Sequence, residues 1–234
     1  MLEIRSIFLA AVMLLAAARG ISQQTDWLPT TYIAWRQLIL PSVLLSCGIS
    51  SICNPELSRF NTEVKGKICG YNLFHRTHID DYIQYAPGIA VLGLNTAGIK
   101  GKSNIKDLSL ICLLSNAILT TVVCASKKLV HQERPDKSAY NSFPSGHTAA
   151  AFAGAELLNQ EYGYRSVWYG VAGYTCAAAA GYFRVYNNRH SLADVMAGAG
   201  VGIISTKLAY FTYGKLKTGI FKKKQINTDL IRGM

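Results

Sequence analysis

Three separated stretches hold residues that could handle a phosphate-like anion. The segment Phe143-Pro144-Ser145-Gly146-His147-Thr148 is a tight polar turn that opens onto an alanine-rich run, Ala149 to Leu158. Pro144 and Gly146 set the turn. Ser145 and the backbone N–H groups near Gly146 and His147 would point off a helix N-terminus, a natural cradle for an anion. A histidine beside such a cradle can donate a proton to whatever the anion is attached to. Upstream lie Lys127 and Arg134-Pro135; downstream lie Arg184, His190 and Asp194. Phosphoryl transfer depends mostly on positioning and cationic stabilisation. Lys127, Arg134 and Arg184 would supply the charge, the two arginines through bidentate contacts. On a helix, His190 and Asp194 would share a face. The carboxylate could then accept the ring N–H and leave the other nitrogen to attack phosphorus.

Each piece also has a plainer reading. Lys127 and Lys128 at the end of an apolar run are ordinary interface anchors, and Lys128 is best left as one. Arg134-Pro135 alone is a helix stop. His190 with Asp194 could be a surface pair. Their order along the chain adds more. Lys127-(six residues)-Arg134-Pro135, Pro144-Ser145-Gly146-His147 and Arg184-(five)-His190-(three)-Asp194 resemble the three-part signature of the type-2 phosphatidic acid phosphatase and vanadium haloperoxidase superfamily. The resemblance covers residues 127–194. It implies that His190 forms a phosphohistidine intermediate, and that His147 protonates the leaving alkoxide and then activates water. It further implies that Lys127, Arg134, Ser145, Gly146 and Arg184 hold the phosphate, with no metal and no cofactor. One position departs from the pattern: Phe183 stands where the family usually has Ser.

The net charge is +11, half the residues are hydrophobic, and 16% are charged, against about 25% in an ordinary soluble chain. That deficit, with long uncharged runs, indicates an all-α integral membrane bundle of about five to six spans. No basic stripe interleaved with aromatics suggests nucleic-acid binding; the positive charge fits membrane-surface anchoring and an anion site. Of six cysteines, Cys47, Cys112, Cys124 and Cys176 lie in apolar segments and read as buried packing residues. Cys53 and Cys69 flank a polar stretch and could pair in an oxidising compartment. No cluster has metal-site spacing.

Residues 1–20 read as a signal peptide or a retained first span: Arg5 precedes an apolar run that ends in small residues. Residues 21–81 comprise an arm bearing Trp27, Tyr32 and Trp35, a short apolar stretch at 39–53, and a mixed-charge interfacial helix or lid at 54–81 that includes His75 and His78. The 39–53 stretch contains Pro41 and is short for a span, which needs about 17–25 residues. It either crosses with help from its flanks or dips in and returns. The helical core, 82–213, holds spans at 82–99, 108–126, 147–159, 166–183 and 191–213. Gly198 and Gly202 permit a close helix approach. A basic tail, 214–234, follows.

If consecutive spans alternate in direction, the ends carrying Lys127, His147, Arg184 and His190 gather at one membrane face. Lys100, Lys102, Lys106 and the lysine-rich tail mark the opposite face as cytoplasmic. The site would then face the periplasm of a bacterial inner membrane and act on a membrane lipid phosphate. The chain is similar to bacterial lipid A phosphatases, with undecaprenyl diphosphate and phosphatidylglycerol phosphate as rival substrates. A vanadium-dependent haloperoxidase and a non-catalytic membrane scaffold are the alternatives. No residue pattern specifies an oligomeric state.

Overall fold

The computed structural model describes residues 32–69 and 77–232. The expected signal or first span, Trp27 and His75 fall outside them. Among the described residues every regular element is a helix: α1 Arg36–Cys53, α2 Pro55–Cys69, α3 Ile79–Ile83, α4 Ala86–Thr96, α5 Ile105–Val130, α6 Gly146–Tyr162, α7 Val167–Tyr186 and α8 Leu192–Arg232. Three are long and apolar enough to cross a membrane: α1, α5 and the Leu192–Gly219 part of α8. The last helix continues past position 214 without a break.

Two boundaries differ from the sequence expectation. The apolar stretch at 39–53 extends back to Arg36, giving an 18-residue helix with Pro41 inside it, about 27 Å long. The run 82–99 is not one span. It divides into α3 and α4, because Pro87 has no N–H to continue a helical ladder. Pro87 instead sits in the first turn of α4, where a missing N–H costs nothing.

The alanine-rich helix α6 lies at the centre. Ala151 and Ala155 meet Ala177 and Ala180 of α7 in a small-residue seam. On its other side α6 meets α8, and there glycine is required by proximity. A Cβ on Gly202 would lie 2.2 Å from the carbonyl oxygen of Ala149, and one on Gly198 would lie 2.5 Å from that of Ser145. Both are far below contact distance, so the expected close approach is realised against α6. Thr206 continues this contact by donating to the Ala153 carbonyl at 3.1 Å and meeting Ser115 of α5 at 2.8 Å. A larger core of Val91, Leu108, Ile111, Leu157, Leu158 and Tyr162 closes the end away from the motifs.

Cys112 is buried, but Cys47 and Cys124 are exposed. They lie on helices whose apolar outer faces suit a bilayer, so apolar sequence context here does not mean burial inside the protein. Cys53 and Cys69 are not bonded to each other. The Cys69 thiol donates to the Val185 carbonyl at 2.9 Å instead.

Candidate active site

The end of α5, the start of α6, the end of α7 and the start of α8 meet at one end of the bundle. At the end of α5, His131 takes a left-handed conformation with φ 47° and closes the helix on Lys127 through its N–H. The loop that follows is internally braced: Arg134 N–H donates to the Ala139 carbonyl at 2.8 Å, and Ser142 N–H to the Gln132 carbonyl at 3.0 Å. Asn141 links two of the cations. Its carbonyl accepts from Lys127 Nζ, and its side-chain oxygen accepts from Arg134 Nε at 2.8 Å. Lys128, one residue on, is exposed.

The cradle differs in detail from the sequence expectation. Ser145 is buried, and its hydroxyl caps α6 by accepting from Thr148 N–H at 3.4 Å and Thr148 Oγ1 at 2.9 Å. Its N–H donates to the Asp194 carbonyl at 3.0 Å. Ser145 therefore holds the cradle's shape and docks α6 on α8, while its hydroxyl, accepting in both contacts, keeps its own O–H to donate. Gly146 and His147 form the first turn of α6, where amide N–H groups lack helical acceptors.

His190 and Asp194 come together, but not on one helix face. His190 lies in the turn before α8, and Ser191 caps that helix. Asp194 N–H donates to Ser191 Oγ at 3.2 Å, while Ser191 N–H donates to Asp194 Oδ2 at 2.8 Å. This reciprocal pairing is a capping box with Asp in the third position. The His190 Nδ1–Asp194 Oδ2 separation is 3.7 Å, longer than a hydrogen bond. The hydroxyl of Ser142 lies between them, donating to Asp194 Oδ2 at 2.7 Å and lying 3.5 Å from His190 Nδ1. His190 is 1% exposed, and burial pushes its imidazole down to about 4 against the pull of Asp194. The ring is therefore neutral at pH 7, as a nitrogen nucleophile must be.

Arg184 reaches the site already paired. It donates to Asp80 Oδ2 at 2.5 Å, and Asn187 donates to the other Asp80 oxygen at 2.8 Å. His147 Nε2 lies 3.0 Å from Asp81 Oδ1. Sequence reasoning missed Asp80, Asp81 and Ser142. Their partners lie 104, 66 and 52 residues away, so no local spacing marks them. Ligand atoms of Asp80, Asp81 and His147 lie within 4.8 Å of one another, a separation a metal ion could bridge. The Arg184 guanidinium already pairs with Asp80, and His147 uses Asp81 as its partner, so the three groups read as part of a hydrogen-bond set.

The PAP2 superfamily model matches residues 108–217. Residues 108–217 are thus similar to the PAP2 superfamily. A lipid A 1-phosphatase of Porphyromonas gingivalis is 44% identical over 146 residues, 62% of this chain and 33% of that protein. The match thus spans about a third of the relative's length. Among solved structures, Aquifex aeolicus LpxE is 25% identical with a TM-score of 0.49, covering 64% of this chain and 94% of its own. A transmembrane PAP2-type phosphatidylglycerolphosphate phosphatase from Bacillus subtilis is 19% identical with a TM-score of 0.40, covering 95% and 98%. Lys127, Arg134, Ser145, Gly146, His147, Arg184, His190 and Asp194 all lie inside the matched stretch. Asp80 and Asp81 come from outside it, on α3.

Proposed function

We propose that the chain is a membrane phosphatase that removes a phosphate from a lipid. The observation that carries this reading is the meeting of Lys127, Arg134 and Arg184 with two histidines at one end of an apolar bundle. Lys127 and Arg134 are set side by side through Asn141. His190 lies within Coulombic reach of both Lys127 and Arg184. Cations gathered around a buried neutral imidazole suit a reaction in which negative charge grows on phosphoryl oxygens.

In this reading Nδ1 of His190 faces Ser142 and Asp194, and Nε2 attacks phosphorus. Its lone pair forms the P–N bond as the P–O bond to the lipid breaks. The electron pair of that bond stays on the lipid oxygen, which takes a proton from His147. Water then attacks phosphorus and gives its proton to His147. The P–N electrons return to His190, and inorganic phosphate leaves. Lys127, Arg134 and the first-turn amides of α6 hold the equatorial oxygens, while Arg184, held by Asp80, supplies a fixed positive field.

The similarity to a lipid A 1-phosphatase favours the 1-phosphate of lipid A as substrate, ahead of undecaprenyl diphosphate and phosphatidylglycerol phosphate. The bacterial relative favours a bacterial inner membrane, and the lysine distribution favours a site on its periplasmic face. The test is purified protein in detergent against those three lipids, with phosphate release measured with and without EDTA. Release from lipid A that survives chelation is expected. No release from any of the three would overturn the proposal.

A further inference from the structure

The histidine that would serve as acid has a carboxylate partner from outside the motif-bearing core. We propose that Asp81 is a positioning residue for His147: it fixes the ring with Nε2 toward α3, presents Nδ1 to the leaving oxygen, and stabilises the imidazolium that donates the proton. This rests on the phosphatase reading given above.

The geometry divides the labour between two adjacent acids. Asp80 is buried and anchors α3 to the end of α7, through Arg184 at 2.5 Å and Asn187 at 2.8 Å. Asn187 also exchanges hydrogen bonds with the backbone of Thr77, at 3.0 and 2.8 Å. With α3 so fixed, Asp81 places Oδ1 3.0 Å from His147 Nε2, and both side chains are 26% exposed. Its other oxygen lies 3.4 Å from Nδ1 of His78, an exposed ring.

The charged groups acting on His147 are Arg184 from α7 and Asp80 and Asp81 from α3. Burial disfavours the imidazolium most, Arg184 adds to that, and the two carboxylates oppose both. Of the two, Asp81 acts more strongly, because it bonds the ring directly as well as through its charge. Its loss should leave His147 protonated only at lower pH.

The test compares D81N with the unsubstituted protein on two substrates. One is a lipid phosphate with an alkoxide leaving group, which needs a proton. The other is p-nitrophenyl phosphate, whose leaving group departs without one. The quantity is kcat/KM, which reports the steps through departure of the leaving group. The ratio between substrates on one preparation is independent of how much of the variant is folded. D81N is expected to lower kcat/KM for the lipid by about 10- to 100-fold, within the range for general acid catalysis, and for the aryl phosphate by less than about threefold. The alkaline limb for the lipid should move to lower pH. An equal fall on both substrates, or no fall on the lipid, overturns the role of Asp81. Failure of the unsubstituted protein to cleave either substrate instead overturns the phosphatase reading.

Discussion

The two halves of the bundle bury polar groups in different ways. Away from the motifs, Glu156 of α6 accepts from Lys207 at 2.6 Å, from Gln160 at 2.7 Å and from Tyr174. One turn on, Glu161 accepts from the backbone and hydroxyl of Ser103 at 2.8 and 2.7 Å, and from Tyr210 at 2.6 Å. These carboxylates are saturated with donors. They tie α6 to α7, α8 and the loop before α5. Glu156 thus has its ion pair, with Lys207, inside the protein. At the motif end the pattern reverses. Arg184 Nε, Asp194 Oδ1, Thr77 Oγ1, Gln132 Oε1 and Asn188 Oδ1 are buried without a hydrogen-bond partner. Such groups are rare in stable interiors and concentrate where a protein does chemistry. One half of the molecule is built to stay closed, and the other keeps bonding capacity in reserve.

This contrast can be broken by substitutions in each half. The largest effect is expected from Arg184→Gln, which removes a cation from the site and leaves Asp80 buried without its counter-charge. Turnover should fall by about 100-fold or more, by analogy with loss of a single transition-state donor. Stability should also fall by about 3–5 kcal/mol, read as a lower Tm in detergent. Glu156→Gln should separate these two effects. Breaking the buried pair with Lys207 costs a similar about 3–5 kcal/mol, yet kcat per folded molecule should stay within about twofold. A large loss of kcat there would end the distinction between the halves.

A pH profile sharpens the same point. Burial holds the His190 imidazole at about 4, below the ordinary value of about 6.5. The ring is therefore neutral above pH 5 and becomes charged only as pH falls through 4. The kcat/KM for p-nitrophenyl phosphate, which does not include the later attack by water, should hold level from pH 7 to 5.5; an acid limb centred near 6.5 would place His190 in water instead. The smallest effect is expected from Ser145→Ala. Its hydroxyl caps α6, so the loss should be about 1 kcal/mol of stability with KM changed by less than about threefold. A tenfold rise in KM would return Ser145 to the role of a direct phosphate ligand.

The residues of the three motifs were readable because each is a short local pattern at the end of an apolar run. Their convergence followed from alternating helix direction, and the Gly198 and Gly202 spacing foretold the close packing of α6 on α8. What stayed hidden was tertiary. Asp80, Asp81 and Ser142 gain meaning only from residues far along the chain. The capping box at Ser191 and Asp194 replaced a helix-face pairing because the turn at Asn187 to His190 delays the start of α8. The division of 82–99 at Pro87 was foreshadowed by the proline itself, but hydropathy alone read through it.

In the proposed reaction His190 is the group that takes the phosphoryl. The most direct measurement is acid-free mass spectrometry of protein mixed for milliseconds with lipid phosphate and quenched in alkali, where phosphohistidine survives and phosphoserine ester chemistry is distinguishable. A phosphoryl adduct on His190 that appears before phosphate release, and is absent in His190→Asn, is the predicted result. Full turnover with no adduct at His190, or turnover retained in His190→Asn, would contradict it.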